Sequence, residues 1–141
     1  MTESRRISLK AVALGVLTDI VGSMLAMTIV GLIVGAVLDA DGVPQEALEL
    51  QMHRPGFLLP GMLLGLGFTA LGGFVAGRAA AKLEVTHGAL VGAACLIVGI
   101  LLRPLSAPAS PWYTAVSLLG CVPLGLLGGY LAAITRNARS R

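Results

Sequence analysis

Residues 11–38 read AVALGVLTDIVGSMLAMTIVGLIVGAVL, a run of mostly apolar and small side chains broken by one charge, Asp19. An α-helix needs about 20 such residues to cross the hydrocarbon core of a bilayer, so this run spans one with length to spare and must tilt or project beyond it. Three more apolar runs follow, at residues 57–77, 85–102 and 112–134. The expected fold is therefore all-α: an integral membrane bundle of four transmembrane helices. The spans and their short connections use nearly the whole chain, which gives a single transmembrane domain over residues 1–141.

Composition agrees with that reading. The chain is 56% hydrophobic and 12% charged, against roughly 45–50% apolar and 25% charged in soluble domains. Its net charge of +3 does not point to nucleic acid, because the basic residues flank the apolar runs as topology signals do. Arg5, Arg6 and Lys10 precede the first span, Arg78 and Lys82 separate the second from the third, and Arg136, Arg139 and Arg141 follow the fourth. The other two connections hold only Arg54 and Arg103. The positive-inside rule then places both termini and the middle connection in the cytoplasm. A cleaved signal peptide is not expected, since its apolar core runs about 7–15 residues and the first run here is far longer.

Small residues recur at helical spacing. Gly61, Gly65, Thr69, Gly73 and Gly77 form a ladder along one face of the second span, and Ser117, Cys121, Gly125, Gly129 and Ala133 do so in the fourth. Such ladders let helix backbones approach closely. The first span has Gly15 and Gly22 on the face of Asp19 and Gly31 and Gly35 on roughly the opposite one, which predicts a helix placed between neighbours. Leu71-Gly72-Gly73-Phe74 matches Leu127-Gly128-Gly129-Tyr130, hinting at two tandem helical hairpins. Trp112 and Tyr113 mark the outer interface. Pro123 removes one backbone bond in mid-span and predicts a kink. The outer connection, residues 39–56, reads either as an amphipathic interfacial helix opened by Pro44 or as an acidic loop.

Asp19 is the principal candidate for chemistry. If the span starts near Ala11 it lies about 12 Å along the helix axis, well below the headgroups. No Lys or Arg occurs within any other span to pair with it. A carboxyl so placed favours its neutral or water-linked form, and an intramembrane ionisable group is by default a functional candidate. Thr18 and Ser23 are its expected neighbours, either in a substrate or proton site or as plain polar glue. Thr86 reads as a cap for the third span, and His87 as a solvated or headgroup-facing histidine. Glu49 and His53 stand four apart, yet two ligands define no metal site. Cys95 and Cys121 read as free thiols packed in the core. With no phosphate-cradling loop and no nucleophile–base set, neither cofactor nor metal is assigned and an enzyme is not expected.

Two resemblances arise on these residues. Gly72-Gly-Phe-Val-Ala-Gly-Arg78 followed by His87-Gly-Ala-Leu-Val-Gly92 resembles a group of small bacterial four-helix inner-membrane proteins of unknown function, and covers the second and third spans. Thr18-Asp19-Ile20-Val21-Gly22-Ser23 resembles the first-helix pattern of the small multidrug resistance transporters. That family's motif has Glu where this chain has Asp. The likeness implies that Asp19 is a membrane carboxyl binding a proton and a lipophilic cation in turn. The expected function is a non-enzymatic membrane scaffold or partner subunit acting through small-residue helix contacts, with a homo-oligomer or another membrane protein as partner and lipid around it. The alternative is a proton-coupled transporter of lipophilic cations using Asp19. Either implies a multi-pass protein of the bacterial inner membrane.

Overall fold

A computed structural model of the chain describes residues 7–42, 44, 47, 54–80, 82–102 and 110–139. They form four helices: α1, Leu9–Ala40; α2, Pro55–Ala79; α3, Glu84–Leu102; and α4, Pro111–Arg139. No strand occurs among the described residues. All four helices are long and apolar enough to cross a membrane. Glu46, Glu49, His53 and most of the connection expected as an interfacial helix lie outside the described residues.

Local chemistry sets the helix ends. Ser8 precedes α1, and its hydroxyl accepts the amide N–H of Ala11 at 3.3 Å, a side-chain cap for one of the first-turn donors. Gly42, at φ +67°, follows the end of α1 in the left-handed conformation that glycine adopts without strain. Pro55 opens α2, where its missing N–H costs nothing. The helix α3 begins at Glu84, so Thr86 lies inside its first turn instead of capping it. Leu83 takes that flanking place at φ 62°. Pro123 sits within α4 without ending it.

The bundle has two ends: a terminal end, with Leu9, Ala79, Glu84 and Arg139, and a loop end, with Ala40, Pro55, Leu102 and Pro111. Near the terminal end the helices touch backbone to backbone. A Cβ added to Gly15 would lie 2.5 Å from the carbonyl oxygen of Gly72, and one on Gly72 would lie 2.5 Å from that of Gly15, so α1 and α2 cross with no side chain between them. Gly73 abuts Gly125, Gly88 abuts Gly125 and Gly129, and Gly92 abuts Cys121, joining α2, α3 and α4. A buried cluster of Ala76, Val91 and Cys95, flanked by Val12, Val16 and Cys121, fills the space between.

The first helix departs from expectation. It docks on α2 and α3 with little contact to α4, and Gly31 and Gly35 meet nothing within 4 Å among the described residues. It therefore stands at the rim of the bundle, not between neighbours. Leu17, Met24, Leu32 and Leu119 are largely exposed, as side chains turned toward lipid are.

Arg136 of α4 closes the terminal end. Its guanidinium pairs with Glu84 at 2.5 Å and donates to the carbonyls of Ala80 at 2.5 Å, Arg78 at 3.2 Å and Gly77 at 3.3 Å. Those carbonyls at the end of α2 have no helical partner of their own. His87, 1% exposed, ties α3 to the start of α1: its Nδ1 donates to the Leu83 carbonyl at 2.8 Å and its Nε2 accepts the Ser8 amide N–H at 2.9 Å. One ring nitrogen donates and the other accepts, which assigns the neutral Nδ1–H tautomer. The expectation of a solvated histidine fails because the α1 backbone folds over the ring.

Candidate functional site

Asp19 lies ten residues beyond Leu9 on α1, and Thr69 ten residues before Ala79 on the antiparallel α2. At 1.5 Å per residue both are about 15 Å from the terminal end. At that shared depth the Thr69 hydroxyl stands 3.1 Å from Asp19 Oδ1. Both residues are buried, Asp19 at 8% exposure. Cys95 on α3 lines the same cavity as the carboxyl. Thr69 Oγ1 is in addition 3.2 Å from the Gly65 carbonyl.

This geometry serves either form of the carboxyl. An ionised Asp19 accepts from the Thr69 hydroxyl. A protonated Asp19 can donate to Thr69 Oγ1, whose own hydrogen then turns to the Gly65 carbonyl. Both arrangements keep Asp19 Oδ1 and the Thr69 hydroxyl hydrogen-bonded to each other, as buried groups require.

The carboxyl borders a cavity of about 200 Å³ that α1, α2, α3 and α4 all help to line. Ser23, Gly65, Cys121, Tyr113 and Ser117 stand around it with Asp19 and Thr69. Ser117 Oγ is buried there without a hydrogen-bond partner. A volume of that size has room for several waters at roughly 30 Å³ each, and the Asp19 carboxyl on its wall is a polar partner for them. Cys95 and Cys121 are free thiols. Among the described residues no three His, Cys, Asp or Glu side chains gather as a metal would need.

The expected neighbours of Asp19 divide. Ser23 lines the cavity, with its hydroxyl donating to the Ile20 carbonyl at 3.1 Å. Thr18 does not: its hydroxyl donates to the Leu14 carbonyl at 2.8 Å, back along its own helix. The hydroxyls that reach the cavity from other helices, Thr69 and Ser117, both read in sequence as rungs of packing ladders. Their usable signal is depth, since a hydroxyl level with an intramembrane carboxyl on an adjacent helix is its natural partner.

The ladders themselves split by height. Gly73, Gly77, Gly125 and Gly129 are buried against neighbouring helices of the same chain. Gly61 faces the end of Met27, and Gly65 meets nothing within 4 Å. The lower rungs pack the bundle, whereas Gly61 and Gly65 leave room for the cavity.

No family model, no curated protein and no solved structure matches this chain.

Proposed function

We propose that this chain is a non-enzymatic membrane carrier in which Asp19 holds a proton and a small cation with an apolar body in alternation. The observation that supports this most is the Asp19 carboxyl at the wall of a cavity, with a Thr69 hydroxyl that can bond it whether the proton is held or released. Release of one proton leaves the carboxylate to neutralise one monovalent cation, so net charge in the site is conserved across the exchange. Charge placement supports a bacterial inner-membrane protein with both termini cytoplasmic. The paired Leu-Gly-Gly-aromatic strings support a tandem hairpin origin, and the Gly72 to Gly92 pattern a place among the small four-helix bacterial membrane proteins. The test is proton release from proteoliposomes on addition of a lipophilic cation. Asp19→Asn abolishes it if the carboxyl is the exchanger; undiminished release in that variant overturns the reading.

A second reading, a scaffold or partner subunit, rests on a different surface. Gly73, Gly77, Gly125 and Gly129 are taken up within the chain, which leaves the face of α1 with Gly31 and Gly35 for a second copy or another membrane protein. Close backbone approach there is sensitive to bulk. Gly31→Leu with Gly35→Leu abolishes cross-linked oligomers in lipid under this reading, and unchanged cross-linking rejects it.

A further inference from the structure

Packing in the bundle is strongly uneven along its length. Toward the terminal end, Gly15 against Gly72, the cluster of Ala76 and Val91, the Arg136 clasp on Glu84 and the His87 bond to Ser8 leave α1, α2, α3 and α4 in close contact. Toward the loop end, Gly31, Gly35, Gly65 and Gly67 meet nothing within 4 Å among the described residues. A second cavity of about 400 Å³ lies there, bounded by Met27, Val30, Val34, Leu58, Pro60 and Tyr113. Every one of those side chains except the tyrosine hydroxyl is apolar.

The two cavities share Gly61 and Tyr113. A Cβ on Gly61 would already lie 3.1 Å from Met27 Cε, so glycine there keeps the passage open. Tyr113 lies in the first turn of α4, with the Trp112 ring edge-on at a centroid distance of 6.0 Å. One turn further along α4 is Ser117, whose unbonded hydroxyl lies in the polar chamber.

We propose that the two cavities are one route, entered from the loop end and closed at the terminal end, in which Tyr113 divides an apolar vestibule from the Asp19 chamber and limits the size of what passes. This rests on the carrier reading and adds to it the direction of access and the residue that selects by size. The occupant is a monovalent organic cation. Its charge is matched by Asp19, the one carboxylate or amine among the described residues lining the two cavities, and its body by the vestibule, whose volume falls in the roughly 300–1,000 Å³ of organic-ligand pockets.

Thiol accessibility in the full-length protein tests the route without using proton chemistry. In proteoliposomes of determined orientation, Cys121 is the reporter in Cys95→Ser; Ser117→Cys, with both native cysteines replaced by Ser, is a second. The probe is a membrane-impermeant trimethylammonium thiosulfonate, whose reaction depends on access to the sulfur. The expected result is modification from the loop side and none from the terminal side. Tyr113→Ala accelerates reaction with a bulkier, fluorophore-bearing thiosulfonate severalfold, while Tyr113→Phe leaves it unchanged. Reaction from the terminal side, equal reaction from both, absence of loop-side reaction at both reporters, or indifference to Tyr113→Ala overturns the proposal. If loop-side labelling stands while Asp19→Asn retains proton release, the carrier reading fails and the route remains. If Asp19→Asn abolishes release while labelling fails, the route falls alone.

Discussion

Thr69 bonds Asp19 across the α1–α2 interface at 3.1 Å, and the Gly65 carbonyl 3.2 Å behind the same hydroxyl gives the pair a second way to share its hydrogens. Replacing Thr69 by Val keeps the shape and removes both options. Interhelical hydrogen bonds in membranes contribute about 0.6 kcal/mol on average and at most about 1.7. Thr69→Val is therefore expected to lower stability in lipid or mild detergent by about 1 kcal/mol, with Thr69→Ser close to the parent. Infrared difference spectra against Asp19→Asn add a direct readout. With Asp19 protonated, its carbonyl band moves to higher frequency in Thr69→Val, because a carboxyl with fewer hydrogen bonds has a stiffer C=O. A band that does not move shows that the hydroxyl is not the partner in lipid.

Arg136 gathers Glu84 and three carbonyls at the end of α2. Its side chain is 34% exposed and that of Glu84 18%, so solvent screens part of the attraction. Arg136→Gln is expected to cost about 1–2 kcal/mol in an unfolding titration, below the full range for charged hydrogen bonds. Arg136→Lys recovers little of it, since an ammonium cannot present the planar fork that serves Glu84 and the carbonyls together.

His87 supplies the acceptor for the Ser8 amide N–H. A phenyl ring fills much of the same buried space without any nitrogen. His87→Phe then leaves that donor unpaired at a cost of about 1–3 kcal/mol. Hydrogen exchange locates the effect: the Ser8 amide exchanges faster in His87→Phe while amides in the middle of α4 keep their protection. Uniform loss of protection along all four helices contradicts a local role for the ring.

The contrast between Asp19 and His87 shows what could be read in the sequence. The spans are legible because a bilayer demands about 20 apolar residues in every crossing helix, and Asp19 is legible because nothing else within that run is charged. His87 is not, since beside Glu84 and Lys82 it looks like part of a solvated connection. Its burial comes from the backbone of Ser8, 79 residues away, and no local pattern carries that contact. Thr69 and Ser117 fall between these cases. Their four-residue spacing marks a packing face correctly for Gly73 and Gly125, but the same periodicity does not tell a rung pressed on a neighbour from one facing a cavity. That difference depends on how far the helices splay toward the loop end, which side-chain bulk on partner helices decides.

The glycines offer the sharpest internal comparison, because the same substitution meets opposite surroundings within one chain. A Cβ on Gly128 would collide with the Ala70 carbonyl of α2, and the Phe74 amide nitrogen is only 2.7 Å from the same point. Neither atom can move without shifting α2 itself. Gly35 has nothing within 4 Å, and there a methyl group lowers the backbone entropy lost on forming the helix, a gain of up to about 1 kcal/mol. Gly128→Ala is thus expected to unfold in detergent well below the parent's midpoint, while Gly35→Ala matches or exceeds it. Equal stability of the two variants would mean that α2 and α4 do not cross at Ala70 and Gly128. The Asp19 chamber requires that crossing, because Thr69 and Ser117 face it from those two helices.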